Sequence, residues 1–177
     1  MFSDEAGFQL LSGLVRTYAP CGQTPILSVP LSYDRLSVMG AISTAGHLLT
    51  WTQDHPVKGP DLVRFLKHVL ASIPGKILLV WDGLPAHRSQ PVKDFLATAT
   101  AKRLTLLQLP AYAPELNPQE GIWHYLKSVE LANVCCHNLA ELRLELRRAI
   151  QRLRYRLNVI FGCFSHVNCS VSESITR

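Results

Sequence analysis

KILLVWD, at residues 76–82, carries the clearest structural signal in the sequence. It is a continuous apolar run closed by one carboxylate, and a strand that is apolar on both faces is typical of a parallel sheet covered by helices. Before it, GPDLVRFLKHVLAS (59–72) has the apolar spacing of an amphipathic helix and is ended by a Pro-Gly pair. After it, SQPVKDFLATAT (89–100) predicts a second helix and LTLLQL (104–109) a second buried strand.

This alternation of strands and helices predicts an α/β protein. Further upstream, DRLSVMGAIST (34–44) and GHLLTWTQ (46–53) carry apolar and β-branched residues around a glycine, and they predict a pair of adjacent strands. Because the first strands form a meander and the later ones need crossovers, we expect a mixed sheet rather than a purely parallel one.

The composition is that of a globular protein, with 47% apolar and 18% charged residues in a chain of 177. The five cysteines are odd in number and form no C-x-x-C pair, which argues against a disulfide framework and against a zinc site. No signal peptide or membrane span is visible, so we expect a cytoplasmic protein. The net charge of +5 is compatible with a polyanionic partner and equally with an ordinary basic surface.

Asp82 closes the buried strand and is followed by residues that stop regular structure. Ligands of open α/β sheets bind at the carboxyl ends of strands, which favours a functional role for this carboxylate. A turn in which the Asp82 side chain bonds the backbone before Gly83 explains the same pattern. Both interpretations stay open on position alone.

Glu120 lies within LPAYAPELNPQEGIWHYLK (109–127), where three prolines precede a helical pattern. Asn117 is suited to the N-cap and Pro118 to the first helical position, so Glu120 is either a capping partner for the Asn117 amide or a functional carboxylate. Because the prolines fix the path of the chain into the helix, we favour a functional role.

Asp4 and Glu5 lie in FSDEAGF, which predicts a strand. Side chains alternate across a strand, so at most one of the two carboxylates can join a shared site, unless both belong to a solvated terminus. Carboxylates held on separate rigid elements suit a hard cation such as Mg²⁺.

NLAELRLELRRAIQRLRYRL (138–157) predicts a long amphipathic helix rich in arginine. The arginines bind DNA phosphates or, alternatively, form a solvated face in which Glu141 and Glu145 are their partners. The six candidates for DNA binding are Arg143, Arg147, Arg148, Arg152, Arg154 and Arg156.

Several segments occur in an order that resembles the catalytic domain of DDE transposases, in the mariner-type superfamily and its bacterial insertion-sequence branch. They are SDEAGF, RTYAPCGQTPIL, VMGAIS, LLVWDGLPAHRS and LPAYAPELNPQEGIWHYLK. The resemblance implies an RNase H-like fold, a mixed five-stranded sheet flanked by helices and followed by the arginine-rich helix. It places a catalytic domain at residues 1–160 and a polar tail at 161–177.

The resemblance also implies the site. The three family carboxylates fall on Asp4, Asp82 and Glu120, which would act as catalytic residues and as ligands of two Mg²⁺ ions, with Mn²⁺ able to substitute. Glu5 would then point away. His87, in LPAHRS, matches a common family position and is a candidate neighbour of the active site.

The implied function is DNA transposition, in which DNA is cut at the ends of an insertion sequence and joined to a target. Because the family's N-terminal helix-turn-helix region is absent, we expect one product of a split or truncated reading frame, with a separate DNA-reading part. A homodimer and association with the bacterial nucleoid are further expectations. Two alternatives are a metal-dependent nuclease without strand transfer and an inactive remnant that only binds nucleic acid.

Overall fold

The structure, a computed structural model, describes residues 1–28, 30, 32–110 and 113–167. The strands are β1 (Phe2–Gln9), β2 (Arg35–Ile42), β3 (Leu48–Gln53), β4 (Ile77–Trp81) and β5 (Leu104–Gln108). The α-helices are α1 (Gly59–Ser72), α2 (Gln90–Leu96), α3 (Pro118–Tyr125), α4 (Leu139–Arg154) and α5 (Leu157–His166). None of the helices in these ranges is both long and apolar enough to cross a membrane.

The strands form one mixed sheet in the order β3-β2-β1-β4-β5. β1, β2 and β3 pair antiparallel as a meander, whereas β4 pairs parallel with β1 on one side and β5 on the other. The predicted mixed five-stranded sheet of the RNase H-like type is therefore confirmed.

Two apolar layers hold the sheet between helices. One layer packs α1 and α2 against the sheet and is centred on Phe65, Leu66 and Leu79. The other packs α3, α4 and α5 against β1, β2 and β3, and is centred on Phe8 and Phe164. The helices therefore cover both faces, as the buried strands required.

The pairing of β1 with β4 is short, and it positions the site. Phe2 pairs with Val80, and the Val80 amide donates a hydrogen bond of 2.8 Å to the carbonyl of Met1. One residue later β4 ends, while β1 continues to Gln9 alongside β2. Asp82 therefore leaves the sheet at the level of Asp4, where the two strands cease to be joined.

The prediction that β4 and β5 are buried on both faces is wrong at two positions. Leu78 is 51% exposed and Leu107 is 53% exposed. Both lie on the face of the sheet where α3, α4 and α5 pack only against the other three strands. The apolar pattern identified the strands correctly, but it could not show how far the helices extend.

The end of the chain also differs from the prediction. The arginine-rich helix ends at Arg154, before the predicted 157, and α5 occupies residues that we assigned to a domain end at 160 and a polar tail from 161. Phe164 of α5 is fully buried against the sheet, because LNVIFGCF (157–164) is an apolar segment. Residues 168–177 of the predicted tail lie outside the described residues.

Candidate functional site

The three predicted carboxylates face one cavity of about 440 Å³, here called the acidic cavity. Asp4 comes from β1, Asp82 from the residue after β4, and Glu120 from the first turn of α3. The wall includes Pro110 and Pro114 of the proline-rich segment. Side chains that are far apart in the sequence therefore meet where the strands separate.

Asp4 is held by α3 across a glycine. The indole Nε1 of Trp123 donates a hydrogen bond of 2.9 Å to Asp4 Oδ2. Gly40 pairs with Asp4 in the neighbouring strand. A Cβ at Gly40 would lie 2.6 Å from the Trp123 ring and 2.5 Å from the side-chain Nε2 of Gln119. The missing side chain at this position therefore lets Trp123 reach the carboxylate.

The Asp4 carboxyl is unusually basic. Burial raises its pKa, and the negative charges of Glu120 and Glu5 raise it further, to about 7. The hydrogen bond from Trp123 opposes this shift without cancelling it. A buried acid surrounded by other acids is an environment that a bound cation would stabilise.

Asp82 is held by His87, which lies in a 3-10 turn at Pro85–Arg88. The ring Nδ1 of His87 is 3.1 Å from Asp82 Oδ1 and 2.9 Å from the Asp82 carbonyl oxygen. The Leu84 amide donates a hydrogen bond of 3.2 Å to the same Oδ1. Partial burial disfavours the charged form, yet these contacts hold the Asp82 pKa below its usual range. The imidazole also stacks on Trp81 with 4.1 Å between ring centroids.

Glu5 joins this arrangement from the opposite face of β1. Its Oε1 lies 3.1 Å from Nε2 of His87, so the imidazole bridges Glu5 and Asp82. As expected, Glu5 does not line the acidic cavity with Asp4, but its contact with His87 behind the cavity was not predicted. The signal for this contact was a histidine five residues after Asp82, which can reach behind the strand.

The Glu5–His87–Asp82 bridge is better described as a charged bridge than as a metal site. One ligand atom from each of the three residues lies within 4.8 Å of the others, which is close enough to hold an ion. However, both ring nitrogens of His87 already face oxygen acceptors. Although burial disfavours the cation, the contacts with Asp82 and Glu5 raise the pKa of His87 to about 10. A doubly protonated ring has no lone pair for a metal.

The start of α3 separates the two interpretations of Glu120. Asn117 is the N-cap, and its side-chain oxygen accepts a hydrogen bond of 3.2 Å from the Gln119 amide. Its own backbone amide donates to the Pro114 carbonyl at 2.9 Å, so Glu120 does not serve as a capping partner. The Asn117 side chain also donates to the Ser3 carbonyl at 3.4 Å, which ties α3 to β1 beside Asp4. The Glu120 carboxylate is exposed to the cavity.

The oxygens that remain free define what the acidic cavity can hold. Among the described residues, none donates a hydrogen bond to Asp4 Oδ1, Asp82 Oδ2 or the Glu120 carboxylate. Carboxylate oxygens from three rigid elements are the ligands that Mg²⁺ and Mn²⁺ accept in proteins.

The six predicted DNA-binding arginines divide into two groups. Arg148 and Arg152 pair with glutamates, and Arg156 lies after α4 and donates to the Tyr125 hydroxyl. Arg143, Arg147 and Arg154 instead line a groove beside β3. The alternative in which Glu141 pairs with arginine is not observed, because its carboxylate accepts a hydrogen bond from the His137 amide.

The sequence of the chain matches a known protein family. Residues 1–143 match the family described as DDE superfamily endonuclease. The chain belongs to this family. No sequence match was found among curated proteins. The four described cysteines of this DDE domain are free thiols, as predicted.

Several solved structures of the Mos1 transposase have a similar fold. The mariner Mos1 paired end complex with Mg matches with a TM-score of 0.66 and 15% identity, over 94% of this chain and 52% of that chain. The Mos1 Strand Transfer Complex matches with a TM-score of 0.59 and 15% identity, over 91% and 53%. The catalytic domain of Mos1 mariner transposase matches with a TM-score of 0.52 and 13% identity, over 94% and 81%. The DDE domain therefore has this fold and spans about half the length of the chains in the two complexes.

Proposed function

We propose that this chain is the catalytic domain of a DDE transposase, which cleaves DNA phosphodiesters and joins the freed ends to a target. The observation that carries the proposal is the meeting of Asp4, Asp82 and Glu120 in the acidic cavity, each with an oxygen that no described residue hydrogen-bonds. Membership of the DDE endonuclease family supports the same chemistry.

The residues of the cavity fit a divalent cation. Three carboxylates converge there. Burial and the neighbouring acids raise the pKa of Asp4 to about 7, because none of the described residues nearby stabilises its ionised form with a positive charge. We expect two Mg²⁺ ions, for which Mn²⁺ can substitute. When bound, such ions activate the attacking oxygen and stabilise the leaving oxygen in phosphoryl transfer.

The remaining residues position the carboxylates. Trp123 orients Asp4 through its indole hydrogen bond, and Asn117 fixes the start of α3 relative to β1. His87 contacts Oδ1 of Asp82, which also lines the cavity, while Glu5 holds the far side of the imidazole. We propose that His87 and Glu5 are positioning residues, because an ion pair and a stacked ring fix the Asp82 carboxylate more firmly than a turn alone.

DNA is the proposed partner. The similar structures include transposase complexes with paired ends and with a transposon end, and the net charge of this chain is +5. The proposal includes a separate helix-turn-helix part that reads the ends of an insertion sequence, and two catalytic domains acting together.

Nicking of supercoiled plasmid DNA in Mg²⁺ or Mn²⁺ tests the proposal. We expect metal-dependent nicks that disappear in Asp82→Asn and Glu120→Gln. The matched control is Glu115→Gln, since Glu115 is an exposed acid just before α3 that does not line the cavity. Nicking that persists in both cavity variants contradicts the site. Cleavage without joined products in a strand-transfer assay, when end DNA is supplied, would identify a nuclease that lacks the joining step.

A further inference from the structure

A groove of about 680 Å³ lies between α4 and β3, the edge strand farthest from β5. We call it the basic groove. Its lining includes Arg143, Arg147, Arg154, Thr50, Thr52 and Tyr155. The arginines occupy positions i, i+4 and i+11 of the helix, which form one stripe at 3.6 residues per turn. Arg148 and Arg152 fall on the opposite side of the same helix.

Two of the three arginines are fixed over the strand. Arg143 Nη1 donates to the Thr52 carbonyl at 3.2 Å, and Arg154 donates to the Leu48 carbonyl at 3.2 Å and to the Thr50 hydroxyl at 3.3 Å. A guanidinium group has five N–H donors, so both retain donors for a ligand. The groove therefore presents two preoriented cations.

The charge of the groove is largely uncompensated. Arg147 lies between the two anchored arginines and makes no hydrogen bond or ion pair with any described residue. The acid nearest to an arginine of the groove is Asp54, which is exposed and 4.0 Å from Arg143. By contrast, Arg148 and Arg152 each contact a glutamate at 2.6 Å.

These donors fit the phosphates of a linear polyanion. Guanidinium groups bind phosphate through paired hydrogen bonds, and threonine hydroxyls add neutral donors. Tyr155 is 83% exposed at the end of the groove and offers an aromatic surface to a sugar or base. Contacts of this kind position a nucleic acid without reading its sequence.

The groove also lies near the acidic cavity. Thr50 pairs with Gly40, and Gly40 pairs with Asp4, so these residues form one row across the sheet. Two strand spacings correspond to about 10 Å between the backbones. Thr50 is two residues from Leu48 and Asp4 is four residues from Phe8, so all four lie on the face of the sheet that α3 and α4 cover.

We propose that the basic groove binds the sugar–phosphate backbone of DNA through Arg143, Arg147 and Arg154, independently of sequence. This inference rests on the proposed function for the identity of the polyanion. It assigns no DNA contact to Arg148 and Arg152, whose charges are paired with glutamates, or to Arg156, which does not line the groove.

Fluorescence anisotropy with a labelled DNA duplex in EDTA tests the groove apart from catalysis. Arg147→Gln should weaken binding about tenfold and reduce the slope of log affinity against log salt by about 1. Arg148→Gln is the matched control, because it removes the same charge from the next residue on the other side of α4. It should change affinity less than about twofold. Equal losses in the two variants, or no loss in either, overturn the proposal.

Three further arms identify the ligand. Two duplexes of unrelated sequence should lose the same affinity in Arg147→Gln, and a loss on one sequence alone contradicts backbone binding. Polyglutamate should compete poorly, and competition equal to that of DNA would assign the groove to acidic polypeptides instead. Comparing a duplex closed by hairpins with one that has open ends distinguishes binding of internal DNA from binding of cut ends. A loss of affinity in Arg147→Gln for either duplex supports the groove.

The same variants separate this inference from the proposed function. Asp82→Asn should not weaken DNA binding in EDTA, because it removes a negative charge and leaves the arginines of the groove unchanged. If Asp82→Asn abolishes nicking while Arg147→Gln leaves DNA binding unchanged, the groove is wrong and the active site stands. If binding depends on Arg147 and no variant changes nicking, the active site is wrong and the groove stands.

Discussion

The acidic cavity and the basic groove lie on one sheet but are assembled in different ways. The cavity draws Asp4, Asp82 and Glu120 from three elements, so its geometry depends on the pairing of β1 with β4 and on the docking of α3. The groove draws its arginines from one helix, so its spacing follows from helical periodicity. Catalysis therefore depends on carboxylates brought together from distant parts of the chain. Binding depends on arginines repeated along one face of a single helix.

The largest expected effect separates the two regions directly. Asp82→Asn should lower the nicking rate at saturating DNA on the order of a thousandfold, because it removes a carboxylate needed only for the chemical step. Arg147→Gln should leave that saturated rate within about threefold, since DNA in excess compensates for weaker binding. Steady-state nicking at several DNA concentrations measures both. Loss of the saturated rate in Arg147→Gln would break the distinction.

The next effect concerns stability and pH. In the folded protein Asp4 keeps its proton up to a pKa of about 7, against 3.8 for an ordinary aspartate. The folded state therefore binds the proton more tightly, and without metal the free energy of unfolding should fall as pH rises from about 4 to about 7. Asp4→Asn should flatten this fall and be more stable than the wild type at pH 7.5, by about 2–4 kcal/mol.

Urea unfolding in EDTA between pH 4.5 and 8 measures that difference. Asp94→Asn is the control, because Asp94 is an exposed acid on α2 and should leave the slope unchanged. The stabilisation from His87 also falls as pH rises above 6.5, because the unfolded histidine releases its proton there while the folded one keeps it up to a pKa of about 10. This contribution is common to the wild type and Asp4→Asn. If the free energy of unfolding changes with pH equally in the wild type and Asp4→Asn, the pKa of Asp4 is not raised in the folded protein.

A glycine pair tests how tightly the cavity depends on packing. Gly40→Ala places a Cβ 2.6 Å from the Trp123 ring, so it should cost about 1–3 kcal/mol of unfolding free energy and weaken nicking by displacing the partner of Asp4. Gly162→Ala in α5 meets nothing within 4 Å and should be neutral or stabilising, by up to about 1 kcal/mol. Denaturant unfolding of both variants distinguishes crowding at Gly40 from a general effect of alanine.

The smallest expected effect concerns Glu5, which supports Asp82 through His87. Glu5→Gln leaves His87 with a weaker partner, so Asp82 should be held less firmly and the Kd for Mn²⁺ should rise about tenfold. Calorimetric titration of Mn²⁺ measures this, with Glu115→Gln as the control. A lower Tm with an unchanged Kd would assign Glu5 to structure alone.

The sequence predicted the fold well where the signal was local. The run at 76–82 and the pair at 34–44 and 46–53 identified β4, β2 and β3, because apolar and β-branched patterns report strands directly. The sequence did not predict α5, because its second half was assigned to a polar tail that begins at residue 161. It also failed at Leu78 and Leu107, since the reach of a covering helix is not encoded in the strand itself.

The site divides in the same way. The carboxylates were identifiable because each stands at the end of an element or in a recognisable motif, and their meeting in one cavity then needed the topology. The contact between Glu5 and His87 was missed, because alternation along β1 placed Glu5 on the opposite face and its histidine partner comes from the turn after Asp82. The division among the arginines depended on partners from other segments, such as Glu130 for Arg152.

Anomalous X-ray diffraction from crystals soaked in Mn²⁺ locates the metal ions without relying on activity. We expect anomalous density inside the acidic cavity, bonded to oxygens of Asp4, Asp82 and Glu120, while His87 keeps both of its carboxylate contacts. Anomalous density only beside Glu5 and His87 would contradict this site. Mn²⁺ ions bound elsewhere in the crystal, with none touching Asp4, Asp82 or Glu120, would also contradict it.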